Sequence, residues 1–233
     1  MLHVRSISTY FLVMALSSSP VGAQEKPLTP PFVPGEVMVK FSPTSKAAAL
    51  VAAASANSDR PDARLVSYVD SLAREVGIPI AVKRLGSGGM MTVSIRGSDL
   101  VARLLSRLRA NPHVKEASAS SGTPSPSMVP QAMVHVEFVE RSTEAEAVAK
   151  IADSGRETGP ELDPFVKGME RESGIPLIAR VTSPRQVQLS VDLGALTLDL
   201  AARLRKCAGV EYAQPNFIRR RMGLASPGPQ PQI

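Results

Sequence analysis

Val37-Met38-Val39-Lys40-Phe41 and Val134-His135-Val136-Glu137-Phe138 are one strand pattern written twice. In each, apolar side chains alternate with more polar ones, which sends the two sets to opposite faces of a half-buried β-strand. The second copy begins 134 − 37 = 97 positions after the first, and the match continues beyond the strand. At the same offset of 97, Leu162, Val166 and Met169 match Leu65, Val69 and Leu72, while Gly174-Ile175-Pro176 repeats Gly77-Ile78-Pro79 unchanged. A hairpin loop shorter by one residue then changes the offset to 96. Leu189-Ser190-Val191 overlays Val93-Ser94-Ile95, the series Leu196, Leu200, Leu204 overlays Leu100, Leu104, Leu108, and Val210 overlays Val114. One register with one gap keeps every helical phase. The chain is an internal duplication.

The elements of one repeat follow from local chemistry. After the strand Glu36–Phe41, Pro43 ends the run and the Ala-rich stretch 45–56 reads as a short helix. A second helix carries Leu65, Val69, Leu72 and Val76 on one face and stops at Gly77. Ile78 to Leu85 and Met91 to Ile95 read as two strands of a hairpin around Gly86-Ser87-Gly88-Gly89. Ser98 is placed to cap a helix whose inner face is Leu100, Leu104 and Leu108. Asn111-Pro112 closes that helix, and a short strand follows from His113 to Ala117. The order β-α-β-β-α-β, with one extra helix, predicts an α+β fold. Its form is two tandem ferredoxin-like domains, each an antiparallel sheet with helices on one face.

The flanks have a different character. Arg5, the apolar run Tyr10–Leu16 and the small residues Val21-Gly22-Ala23 have the layout of a signal peptide over 1–23. The apolar run is shorter than the roughly 20 residues that a membrane span needs. The expectation is export, to the periplasm or outside the cell, with no stable membrane insertion. Residues 24–33 form a Pro-rich leader, with Pro34 prolonging the proline run. The two repeats occupy 34–120 and 132–218, joined by a Ser/Pro linker over 121–131. Residues 219–233 are a basic, Pro-rich tail that starts with Arg219-Arg220-Arg221.

The second repeat ends in Val210-Glu211-Tyr212-Ala213-Gln214-Pro215-Asn216-Phe217. It reads as a strand that Pro215 stops, since proline has no N–H to give to a ladder. This run resembles the closing motif of subtilisin-type protease propeptides, a family of peptidase inhibitors and folding chaperones. Val33-Pro34-Gly35-Glu36-Val37-Met38-Val39-Lys40-Phe41 is similar to that family's opening motif. The two best matches sit on different repeats. The first repeat ends Val114-Lys115-Glu116-Ala117-Ser118, without the Tyr or the Pro-Asn, and the second begins Pro130-Gln131-Ala132, without the Pro-Gly-Glu. The resemblance implies a sheet that docks on a subtilisin-like serine protease and a following segment that enters the substrate cleft like a product. It implies protease-binding roles for Tyr212, Gln214, Pro215, Asn216, Phe217, Ile218 and Arg219, with the main contact on the sheet of the second repeat.

Other function classes find little purchase. Beyond the signal region only His113 and His135 remain, and no Gly-x-Ser-x-Gly elbow accompanies them. The chain therefore reads as no enzyme. No phosphate loop or dinucleotide fingerprint is present, and a single cysteine, Cys207, rules out both an intrachain disulfide and a multi-cysteine metal site. No cofactor and no metal are expected. The net charge of +6 is spread along the chain. The predicted inner strands carry Ile78, Ile80, Val82, Val93, Ile95, Leu189 and Val191 instead of the aromatics that stack bases, which argues against nucleic acid. The rival expectation is a non-inhibitory exported interaction or scaffold module.

Overall fold

The computed structural model describes residues 31–57, 62–120 and 132–218. The first repeat runs β1 (Phe32–Phe41), α1 (Lys46–Asn57), α2 (Ala63–Val76), β2 (Ile80–Leu85), β3 (Met90–Ile95), α3 (Gly97–Ala110) and β4 (Val114–Ala119). The second runs β5 (Met133–Phe138), α4 (Thr143–Asp153), a 3-10 turn (Pro160–Leu162), α5 (Asp163–Ser173), β6 (Leu177–Ser183), β7 (Gln186–Val191), α6 (Leu193–Leu204) and β8 (Val210–Phe217). The expected signal peptide, most of the leader, the linker 121–131 and the tail from Arg219 lie outside the described residues.

Local signals account for most of the boundaries. The side chains of Ser45, Asp62 and Ser142 accept hydrogen bonds from the N–H groups of Ala48, Leu65 and Ala145, which caps three helix starts. Gly77 and Gly174 end α2 and α5 at φ values of 73° and 68°, a left-handed geometry that glycine adopts without penalty. Ser98 is a correction. Helix α3 begins at Gly97 with no side-chain cap, and the Ser98 hydroxyl bonds to the Asp99 carboxylate inside the first turn. The leader is a second correction, because Phe32 and Val33 already belong to β1. Phe32 is held there as the register partner of Phe217.

Two four-stranded antiparallel sheets form, with strand orders β2-β3-β1-β8 and β4-β5-β7-β6. The fold is α+β and compatible with two ferredoxin-like domains. The pairing corrects the expectation that each repeat closes its own sheet. β8 of the second repeat lies beside β1, and β4 of the first lies beside β5. The helices move with the strands: α6 packs on β1 and β8, and α3 packs on β4 and β5. The exchanges occur at Arg96, between β3 and α3, and at Asp192, between β7 and α6. Each crossing is one residue long, and so short a hinge favours carrying the helix onward to the other sheet. Both are pinned alike, by Arg96 N–H to the Pro79 carbonyl and Asp192 N–H to the Pro176 carbonyl, each at 2.9 Å.

The cores obey the duplication. β1 buries Val37, Val39 and Phe41 and β5 buries Val134, Val136 and Phe138. Leu196, Leu200 and Leu204 cover the first set and Leu100, Leu104 and Leu108 cover the second, all of them fully enclosed. Each sheet has an edge-to-face aromatic pair at the same repeat position: Phe41 with Tyr68 at 5.8 Å between centroids, and Phe138 with Phe165 at 4.9 Å. In the first turn of α5 it is thus Phe165 that is buried, while Val166 is half-exposed. Replacing Phe138 by Ala should lower stability by about 3–5 kcal/mol, the range for emptying a buried phenyl site. Urea unfolding of the variant measures it, and a loss below about 1 kcal/mol would contradict this packing.

Candidate functional site

The residues singled out by the closing motif fall on β8, an edge strand that α6 and one turn deliver to β1. Helix α6 buries its leucine face, and Gly209 then turns the chain at φ 80°. The Gly209 carbonyl accepts from Ser42 N–H at 2.9 Å, which starts β8 alongside the end of β1. The register shifts between Lys40 and Phe41, so that Glu211 and Tyr212 together oppose Lys40 as a β-bulge. Lys40 Nζ bonds the Glu211 carboxylate at 2.7 Å and lies 5.8 Å from the centre of the Tyr212 ring.

Beyond the bulge the side chains alternate. Ala213 and Pro215 turn inward opposite Val39 and Val37. Tyr212, Gln214 and Asn216 share the outer face with Met38 and Glu36. The Tyr212 hydroxyl reaches Met90 Sδ at 3.2 Å. Asn216 Nδ2 donates to Glu36 Oε2 at 2.9 Å, and the other oxygen of that carboxylate is paired with Lys83. Glu36 is 8% exposed, and these two partners satisfy both oxygens of its carboxylate within the sheet. Phe217 meets the edge of the Phe32 ring at 6.4 Å and 90°. Ile218 N–H bonds the Pro31 carbonyl at 2.9 Å while its side chain is 52% exposed. Arg219 lies outside the described residues.

Pro215 does not stop the strand. β8 runs through it to Phe217, because an edge strand has a side on which a missing N–H breaks no ladder bond. Sequence reasoning also missed Phe32, Glu36, Lys40 and Lys83 as partners of the closing motif. The signal that would have found them is the split of opening and closing motifs between repeats, which makes sense once the strands exchange. A groove of about 570 Å³ opens beside Glu36 and Lys83 at the crossings, lined also by Gly35, Ile95, Gly97 and Leu193. There Gly35 N–H donates to the buried Thr197 hydroxyl at 2.6 Å.

The remaining reactive groups sit apart from β8's outer face. Burial, with the neighbouring Glu75, pushes the Cys207 thiol up to about 11, so it stays protonated at neutral pH. His113 Nδ1 is 2.6 Å from the Glu144 carboxylate, and His135 lies half-exposed on β5. Among the described residues no cluster of three His, Cys, Asp or Glu is placed to hold a metal ion. No described helix is long and apolar enough to cross a membrane. Comparisons with known family models, curated proteins and solved structures each found no match to this chain.

The second sheet has the counterpart of the Lys40–Glu211 pair with its signs reversed, Lys115 Nζ to Glu137 at 2.7 Å. The hydrogen bond from Lys115 holds the Glu137 carboxyl below the usual carboxylate range, and the same bond raises Lys115. Lys40 is raised in the same way by Glu211. A depressed carboxyl contributes above its unfolded pKa and loses the contribution as pH falls through its folded value. A raised lysine contributes below its unfolded pKa and loses it as pH rises through the folded value. The Lys115–Glu137 pair is therefore intact around neutral pH and opens at either extreme, and the Lys40–Glu211 pair opens as pH rises through the raised value of Lys40. An NMR titration of the Glu137 side chain should shift upward on Lys115→Ala, and an unchanged midpoint would refute the pairing.

Proposed function

We propose that this is an exported, stand-alone propeptide-like protein that binds, inhibits or chaperones a subtilisin-like serine protease. The observation that carries the proposal is an adjacency. The opening motif Val33–Phe41 and the closing motif Val210–Phe217 belong to different repeats, yet they are neighbouring strands of one sheet. On this reading the exchange assembles one ferredoxin-like module that has both family motifs. It takes β1, β2 and β3 with their helices from the first repeat and α6–β8 from the second.

The docking surface is then the outer face of that sheet, with Met38, Lys40, Tyr212, Gln214 and Asn216. It is not a surface of second-repeat strands alone, as the motif positions had suggested. The chain leaving at Ile218 and Arg219 enters the cleft as an extended segment, where main-chain hydrogen bonds give affinity and side chains select subsites. Pro215 and Phe217 act indirectly by fixing the exit direction, since both are engaged within the sheet. The reading involves no catalysis by the chain itself and no cofactor.

One observation favours the rival, a non-inhibitory scaffold module. The closing-motif side chains Tyr212, Asn216 and Phe217 already have partners inside the protein. Titration of the mature chain against a panel of subtilisin-like proteases separates the two readings. An inhibitor gives stoichiometric loss of activity, and Tyr212→Ala weakens it about tenfold, as expected for an interface aromatic. Deleting 218–233 should abolish inhibition while leaving a detectable complex. Undiminished inhibition after the deletion would remove the tail from the cleft, and failure to bind any protease would reject the reading.

A further inference from the structure

We propose that charged side chains on the exchanged strands encode the exchange itself, selecting it over two repeats that each close their own sheet. The two arrangements contain almost the same backbone contacts, because β4 and β8 occupy equivalent places. Phe41 N–H bonds Gly89 and Phe138 N–H bonds Arg185; Ser42 N–H bonds Gly209 and Val139 N–H bonds His113. Backbone pairing therefore does not discriminate. Side chains do.

At the bulge, Lys40 faces Glu211 and Tyr212 of β8, and its counterpart Glu137 faces Lys115 and Glu116 of β4. Two of the charge contacts are attractive and the Glu137–Glu116 contact is repulsive. Self-closure would reassign them. Lys40 would face Lys115 and Glu116, and Glu137 would face Glu211 and Tyr212, leaving one attraction against two repulsions. Facing like charges destabilise a strand pair and opposite charges support it.

Two further contacts agree. His113, on the arm from α3 to β4, bonds Glu144 at the start of α4. At the equivalent places in the other half stand Gly209 and Ala47, so self-closure would separate His113 from its carboxylate and offer it an alanine. Glu36, buried beside Lys83, receives Asn216 from β8; the equivalent residue, just past the end of β4, is the shorter Ser120.

Cysteine pairs in the full chain read the topology directly, in a Cys207→Ala background. Met38 lies opposite Gln214 in the exchanged sheet, whereas self-closure would place it opposite Ser118. The pair M38C/Q214C should form a disulfide on mild oxidation and M38C/S118C should not, since bridging needs Cα atoms within about 7 Å. Adding Lys115→Glu with Glu211→Lys reverses the code, and should raise the M38C/S118C yield relative to M38C/Q214C by about threefold or more. High salt, about 1 M, should shrink that change. The variant Lys40→Glu with Glu211→Lys, Lys115→Glu and Glu137→Lys inverts both pairs, so it keeps opposite charges facing in the exchanged sheet and like charges facing in a self-closed one. It should cross-link as the parent does, which controls for damage to folding. Preferential M38C/S118C cross-linking in the parent would overturn the exchange. An unaltered ratio in the reversed variant, beside a normally behaving control, would overturn the charge code.

Discussion

Everything else in the structure depends on the pairing of β1 with β8. These strands come from opposite ends of the described chain, and Lys40 and Glu211 meet across 171 positions. Closing so long a loop appears expensive, yet the cost grows only logarithmically with length. Self-closure would join 40 to 115 and 137 to 211, loops of 75 and 74 positions. The exchange replaces them with 171 and 22 positions. The longer loop costs about 0.7 kcal/mol more and the shorter one about 1 kcal/mol less, so closure entropy does not oppose the exchange. Local side-chain chemistry is free to decide.

The exchange changes how the two repeats support each other. A lone repeat of this size buries a modest core and is marginal on that account. Here each sheet lacks its fourth strand and one covering helix until the other repeat supplies them. The buried faces of α3 and α6, Leu100 with Leu104 and Leu108, and Leu196 with Leu200 and Leu204, are the means. Removing either arm uncovers β1 or β5 together with its enclosed phenylalanine, so damage in one repeat is felt in the other.

Much of this is legible in the sequence. The offsets of 97 and 96 recovered the element order, the paired leucine faces and the glycine stops at Gly77 and Gly174, because these follow from local periodicity and backbone preference. The partner of each edge strand was not legible, since β4 and β8 carry the same inward pattern at Val114 and Ala117 and at Val210 and Ala213. Periodicity specifies which face is buried, and says nothing of which of two like strands fills it. Pro215 was misjudged for a related reason, since its effect depends on edge position. On the outer face, Tyr212 and Asn216 stood out by their motif, while Glu36, Lys40 and Phe32 acquired meaning only as their neighbours.

The register partners Phe32 and Phe217 close the described fold at a single point, with the Pro31 carbonyl bonded to Ile218 N–H beside them. Residues 31 and 218 therefore lie side by side, one strand leading away from this point and its neighbour returning to it. A circular permutant opened within 121–131, with residue 218 joined to residue 31, would turn the most distant strand pair into a local hairpin and leave both sheets unaltered. The long-range character of this strand pair lies in its connectivity, and its packing would be the same if the two strands were neighbours in sequence.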